Sequence, residues 1–206
     1  DPGTEVAVGD WVVVDPGNER VAEVLARRSF LARRSADGTA RPQVLAANVD
    51  TIFLVHSLSQ PPKARRLERE LVLAFESGAS PVVILNKSDL SADPAEAVVA
   101  MEEIALAVPV HAISARTGDG MEKLHAYTAG HHTVALLGPS GAGKSTLVNA
   151  LVGDEVQRTG AVRTFDQKGR HTTTAAELVA LPDGGLLLDT PGLRAGLRCS
   201  WGRRRS

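Results

Sequence analysis

Gly138-Pro139-Ser140-Gly141-Ala142-Gly143-Lys144-Ser145-Thr146 is the stretch on which the fold turns. The run Thr133 to Leu137 that leads into it reads as a buried strand, and the stretch 147–151 that follows reads as helix. A glycine-rich turn between a strand and a helix is the setting in which backbone N–H groups can cradle phosphate. The glycines let those groups point inward, and the helix offers its positive end. Lys144 supplies a point charge for the β and γ oxygens. Ser145 is placed to ligate Mg²⁺, and Thr146 closes the motif. A glycine-rich turn without nucleotide is the plainer alternative, and the coincidence of strand, glycines, Lys-Ser and helix argues against it.

A phosphate loop is indifferent to the base, so base selection has to come from elsewhere. Asn86-Lys87-Ser88-Asp89 follows the apolar run Val82 to Leu85, at the carboxyl end of an expected strand, where open α/β sheets bind ligands. Asp89 can accept both the N1–H and the exocyclic N2–H of guanine, a pair that adenine cannot present. Asn86 suits the Hoogsteen edge and Lys87 the ring face. A mismatched base would leave a buried carboxylate unpaired, at a cost of about 1–3 kcal/mol. Ser114-Ala115, after a further strand, adds a loop where a backbone N–H can meet guanine O6. An ATP-dependent enzyme is disfavoured, because Asn86 and Asp89 would then have no role.

Two more segments complete the set. Asp189-Thr190-Pro191-Gly192 follows the run Leu186 to Leu188, with Asp189 placed to hold Mg²⁺ through water and the Gly192 N–H placed to sense the γ-phosphate. Gly169-Arg170-His171-Thr172-Thr173-Thr174 lies between the phosphate loop and this segment, and Thr172 or Thr173 is the candidate to give Mg²⁺ a hydroxyl. A threonine run that simply starts a strand is the alternative. The motifs run base loop, Ser-Ala loop, phosphate loop, threonine switch, Asp-Thr-Pro-Gly, whereas small GTPases ordinarily begin with the phosphate loop. The order is circularly permuted, which preserves a fold when the old termini lie close together.

The flanking pattern predicts an α/β doubly wound sheet of the P-loop NTPase kind, preceded by a small β region. Residues 6–14 and 20–24 read as strands around the turn Asp15-Pro16-Gly17-Asn18. Arg27, Arg28, Arg33, Arg34 and Arg41 then read as an exposed basic loop. Strands are expected at 51–55, 82–85, 110–113 and 133–137. Helices are expected at 65–76, with Leu67, Leu71 and Phe75 on one face and Gly78 as its stop, and at 94–107 and 121–128. The runs 176–181 and 186–188 should pair through Pro182-Asp183-Gly184-Gly185. A chain of 206 residues with 43% hydrophobic content buries one full core plus an appendage. Its net charge of -1 excludes a chain that is basic all over. One cysteine, Cys199, fits a reducing cytoplasm and excludes a multi-cysteine zinc site, and no run is long enough to span a bilayer. Because the chain begins at Asp1 without methionine, further sequence is expected before it.

These residues resemble the circularly permuted GTPases of the small-subunit ribosome biogenesis family, the RsgA or YjeQ type. The marks are the motif order, 138–146, 169–174 and Asp189-Thr190-Pro191-Gly192, and the resemblance covers roughly 6–193. It implies an N-terminal OB-fold that contacts RNA, a permuted GTPase domain and a C-terminal zinc domain, acting in late maturation of the small (30S) ribosomal subunit. On this reading residues 1–46 are a partial OB-like, RNA-binding region and 47–196 the GTPase domain. Residues 197–206 are an Arg-rich tail, which binds RNA or marks a truncated or out-of-frame end. The family's Zn²⁺ is expected, but its ligands are absent here. Leu193 cannot orient an attacking water, and the resemblance points instead to His171, with a solvent-facing histidine as the alternative. Lys144, Thr172, Thr173 and His171 are thus the catalytic candidates.

The expected activity is Mg²⁺-dependent hydrolysis of GTP to GDP and phosphate. The expected partners are the small ribosomal subunit and rRNA, with no membrane, for a cytoplasmic monomer. The alternatives are a non-hydrolysing guanine-nucleotide-responsive RNA-binding module and a permuted GTPase of the large subunit.

Overall fold

The computed structural model describes residues 6–34, 42–61, 63–158 and 177–189. Four short strands come first: β1 (Val12–Asp15), β2 (Arg20–Val24), β3 (Phe30–Arg34) and β4 (Pro42–Ala47). β1 pairs antiparallel with β2, and β3 with β4. The β1–β2 turn is drawn tight by the Asp15 carboxylate, which accepts from the Gly17 N–H at 2.8 Å and from Asn18 Nδ2 at 2.9 Å. The strand expected to begin at residue 6 begins at Val12. Gly9, at φ 89°, turns the chain beside β4, where the Ala47 N–H donates to Val8 O at 2.9 Å. A Cβ on Gly9 would stand 2.1 Å from Ala47 O, so no other residue fits that approach.

The arginine-rich stretch departs from the expected exposed loop. Phe30–Arg34 is a strand, and its Leu31 is buried in the main core. Arg27 is also drawn in: its Nε lies 2.6 Å from Asp10 Oδ1, with the aspartate almost fully buried. Burial pushes Asp10 up, but the hydrogen bonds and charge of Arg27, with the Ala7 N–H, hold its carboxyl below the usual range.

The second part of the chain winds strand and helix alternately: β5 (Thr51–Ser57), α1 (Ala64–Ser77), β6 (Ser80–Asn86), α2 (Pro94–Ala105), β7 (Val110–Ala112), α3 (His125–Thr128), β8 (Thr133–Leu137), α4 (Lys144–Arg158), β9 (Glu177–Ala180) and β10 (Leu186–Asp189). One six-stranded sheet results, in the order β7-β6-β5-β8-β10-β9, parallel except where β9 runs against β10. β5 is central and buried on both faces, which is why its sequence is a nearly unbroken apolar run. Alternate residues feed two cores. Ile52, Leu54, Val83 and Leu85 pack with Leu67, Leu71 and Ala74 of α1 and Met101 and Ala105 of α2. Phe53, Val55, Val82 and Ile84 pack with Leu124 and with Leu147, Val148 and Val152 of α4. Helices therefore cover both faces, and the winding direction reverses at β5.

The helices fall where their periodicity places them, with three differences, one being that only His125–Thr128 of the expected 121–128 is α-helix and Met121–Leu124 is a 3-10 turn. In α1 the inward stripe is Leu67, Leu71 and Ala74, while Phe75 is 58% exposed; Gly78 stops the helix in the left-handed region at φ 86°. α2 is capped by the Asp93 carboxylate, which accepts from the Glu96 N–H at 3.0 Å, and it ends at Ala105, short of the expected residue 107. Leu106 and Ala107 both take positive φ there, ahead of Pro109, and cannot continue the helix.

Candidate nucleotide site

Three loops converge at the carboxyl ends of the parallel strands, beside the position where the winding reverses. The first follows β8. The chain leaves Leu137 through Gly138, whose Cβ, if present, would lie 2.1 Å from Val55 O of β5, so the loop presses on the central strand with no room for a side chain. Gly141 has φ 79° and nothing within 4 Å, so its constraint is conformation alone. Gly143 has φ 90°, and a Cβ there would meet Asn86 Nδ2 at 2.3 Å. α4 starts at Lys144, with the Leu147 N–H donating to Gly143 O at 2.9 Å. The Lys144 side chain is buried and curls back over the loop, where Nζ donates to Gly138 O at 2.8 Å and Pro139 O at 2.7 Å. A cation is thus held at the centre of the phosphate loop. Ala142 is buried beneath the loop, whereas Ser140, Ser145 and Thr146 are exposed.

The second loop follows β6. Asn86 is 2% exposed and its amide is used at both ends. Nδ2 donates to Ala142 O at 3.0 Å and to Gly143 O at 3.4 Å. Oδ1 accepts from the Lys87 N–H at 2.8 Å and the Ala115 N–H at 3.1 Å. The sequence suggested the Hoogsteen edge of a base for Asn86; in the structure the residue ties the phosphate loop, the base loop and the Ser-Ala loop to one point. Lys87 takes a left-handed backbone, φ 65°, which turns its stem across the phosphate loop, and Nζ donates to Gly141 O at 2.7 Å. Ser88 anchors the base loop through its backbone, its N–H donating to Ile113 O at 3.0 Å. Its buried Oγ has no hydrogen-bond partner among the described residues, so the side chain acts as a small space-filler here.

The third loop follows β7. Ser114 is buried, and its Oγ donates to Asp89 Oδ1 at 2.5 Å. Arg116, which sequence reasoning passed over, reaches the same carboxylate: Nη2 lies 2.7 Å and Nε 3.2 Å from Oδ2. The hydrogen bond from Ser114, then that from Arg116, hold the Asp89 carboxyl below its ordinary range, so the group is an anion and a pure acceptor at neutral pH. The only sequence signal for Arg116 was a cation directly after Ser114-Ala115.

β10 brings Asp189 to the same end of the sheet, one strand from β8, since Leu188 stands opposite Ala135 in parallel register. His171, Thr172, Thr173 and Gly192 lie outside the described residues, as do Thr190, Pro191 and Cys199. One further group near the site was not foreseen. His56, in the apolar run of β5, places Nε2 2.8 Å from Glu70 Oε2, and Arg66 Nε lies 2.8 Å from the other oxygen. Burial pushes Glu70 up, and the hydrogen bonds and charges of His56 and Arg66 outweigh it, so its pKa is lowered. The helix spacing of Arg66 and Glu70 was visible in the sequence; their buried histidine partner was not.

Among the described residues no helix is long and apolar enough to cross a membrane. The family model described as RsgA GTPase matches residues 24–196. The Small ribosomal subunit biogenesis GTPase RsgA of Methanosarcina acetivorans is 45% identical over 196 residues, covering 93% of this chain and 53% of that protein. The protein of the same name from Streptomyces coelicolor is 47% identical over 199 residues, covering 94% of this chain and 54% of that one. The chain thus spans about half the length of these curated relatives. The crystal structure of YjeQ from Thermotoga maritima superposes with a TM-score of 0.66 at 31% identity, covering 92% of this chain and 62% of that one. That of YloQ, described as a circularly permuted GTPase, gives 0.62 at 25% identity, covering 91% and 57%.

Proposed function

The chain belongs to the RsgA GTPase family, and from that premise we propose that it binds guanine nucleotide with Mg²⁺, hydrolyses GTP to GDP and phosphate, and times its association with the maturing small ribosomal subunit by doing so. The observation that carries this reading is the convergence of Lys144 and Asp89 on one end of the sheet, tied together through the Asn86 amide. One group answers phosphate and the other answers the guanine edge. Asp89 is anionic and partly open, Lys87 lies where it can cover a ring, and the Ser114-Ala115 loop sits beside them.

For Mg²⁺, the hydroxyl of Ser145 at the exposed start of α4 and a carboxylate at the end of β10, Asp189, are hard oxygen donors of the type this ion selects. Thr172 or Thr173 would add a third. An ion held by these oxygens would supply positive charge against the phosphates. Lys144 holds the β and γ oxygens, the Gly192 N–H would sense the γ-phosphate, and His171 would orient the attacking water. Relatives carrying the name small ribosomal subunit biogenesis GTPase support rRNA and the 30S subunit as partners. Residues 1–46 are then a partial OB-like RNA-contacting region, 47–196 the GTPase domain and 197–206 an Arg-rich tail, in a cytoplasmic monomer.

The test is phosphate release from GTP and from ATP by the purified chain, with and without Mg²⁺ and small ribosomal subunits, beside Asp89→Asn and His171→Ala. Release from GTP alone, requiring Mg²⁺ and stimulated by subunits, is expected. Asp89→Asn should lose it through binding. His171→Ala should still bind and turn over roughly a hundredfold or more slowly. Binding of GTP without turnover under every condition would reduce the reading to a nucleotide-responsive module.

A further inference from the structure

The guanine-reading carboxylate does not stand alone. A carboxylate has about four lone-pair sites, two on each oxygen. Ser114 Oγ uses one on Oδ1, and the two N–H groups of Arg116, parallel on one edge of the guanidinium, reach Oδ2 from the same side and share one there. One acceptor site is left on each oxygen, and a guanine edge presents two donors side by side, N1–H and N2–H. The loop that carries Arg116 is itself fixed: the Ser114 N–H donates to Asp119 O at 2.8 Å, the Gly118 N–H to Ser114 O at 2.9 Å, and the Thr117 N–H to Ser114 Oγ at 3.2 Å. Arg116 is therefore held beside Asp89 by a built turn.

We propose that Arg116 is a positioning residue for base selection: together with Ser114 it fixes the plane of the Asp89 carboxylate, so that the two remaining acceptor sites face the N1–H and N2–H of guanine. This rests on the guanine reading of the site given above. The arrangement separates base choice from phosphate binding, because Arg116 touches the carboxylate and none of the phosphate-loop atoms that Lys144 and Lys87 engage. The lowered pKa of Asp89 fits the same geometry, since the hydrogen bonds from Ser114 and Arg116 favour the charged form. Arg116 is 71% exposed and the Asp89 side chain 14%, so the pair is screened and its effect on affinity is small, roughly two- to five-fold.

Such a role moves a ratio more than it moves overall binding. A base that offers both donors needs the carboxylate's orientation; inosine, which lacks the 2-amino group, uses a single donor and depends on it less. The experiment is equilibrium binding of GDP and of inosine diphosphate to the wild-type chain, Arg116→Ala and Arg116→Lys. The preference for GDP over inosine diphosphate should fall two- to five-fold in Arg116→Ala, with inosine diphosphate affinity little changed. Arg116→Lys, which keeps the charge with a single donor head, should lie between the two. Equal losses for both nucleotides would make Arg116 a support of the loop only. Tighter GDP binding in Arg116→Ala would make it an obstruction. Either result, or an unchanged ratio, overturns the proposal while leaving the guanine site intact. A wild-type chain that shows no preference for GDP would instead remove the guanine reading itself.

Discussion

Asn86→Ala separates two accounts of the base loop, because a residue that only touches the base should be dispensable in the nucleotide-free protein. Here the amide fastens three loops before any ligand arrives. Truncation strands the Ala115 N–H, which belongs to a residue 8% exposed, and an unpaired buried donor costs about 1–3 kcal/mol. Loss of the donation to Ala142 O adds about 1 kcal/mol, while the 3.4 Å contact to Gly143 O adds little. The Lys87 N–H is less enclosed and can turn to water. The sum is about 3 kcal/mol. For a chain of 206 residues each kcal/mol lowers Tm by about 2–4 °C, which puts the shift at about 6–12 °C. Differential scanning calorimetry without nucleotide reads this directly, and GDP titration of the same sample reads binding. An unshifted melt with binding abolished would show that the amide serves the base and not the loops.

Two other outcomes follow from the same geometry. Gly143→Ala should cripple nucleotide binding, because its Cβ would strike Asn86 Nδ2 at 2.3 Å on top of the positive φ; Gly141→Ala faces open space, carries only backbone strain of about 1 kcal/mol, and should bind within about ten-fold of wild type by nucleotide titration. Glu70 has a folded pKa below the ordinary glutamate value of 4.5, so its stabilising contribution is complete above about pH 4.5 and is lost as pH falls through the lower folded value. Melting curves from neutral to acid should therefore steepen in that window for the wild type and flatten in Glu70→Gln, and parallel curves would refute the pairing with His56 and Arg66.

The parts of this molecule that were legible from sequence are those in which chemistry and local pattern coincide. Thr133 to Leu137, the glycines and Lys144 announced strand, turn and helix in a row, and the structure has them at those places. That β5, β6 and β8 are parallel strands of one wound sheet followed from alternation of apolar runs with helical spacing. What stayed hidden depended on residues distant in sequence. Arg27 pairs with Asp10 across seventeen positions, so an arginine counted as solvated is half-buried. Phe30–Arg34 offers only one buried leucine to mark a strand, and its polar residues masked it. Ala74, not Phe75, turns inward because α1 packs closely on β5 and β6, where a small side chain fits. The bonds from Asn86 to the phosphate loop and the Ser-Ala loop were hidden too, since side-chain partners in other loops cannot be read from four letters. Arg116 went unnoticed for the same reason.

The sheet order has a further meaning for how the molecule is made. β8 lies between β5 and β10, yet it is synthesised after β5, β6 and β7. While the chain is being made, β5, β6 and β7 can assemble first, with β5 showing an unpaired edge of Thr51, Ile52, Phe53 and Leu54 to its surroundings. An open apolar edge of that kind is a template for association with other chains. The phosphate loop then arrives with β8 against Val55, so covering the β5 edge and bringing that loop beside Asn86 are a single event, and β10 and β9 extend the sheet afterwards. Small GTPases that begin with the phosphate loop lay down that strand first; in the permuted order it comes after the strands that carry Asn86 and Ser114, and it covers the edge they leave open.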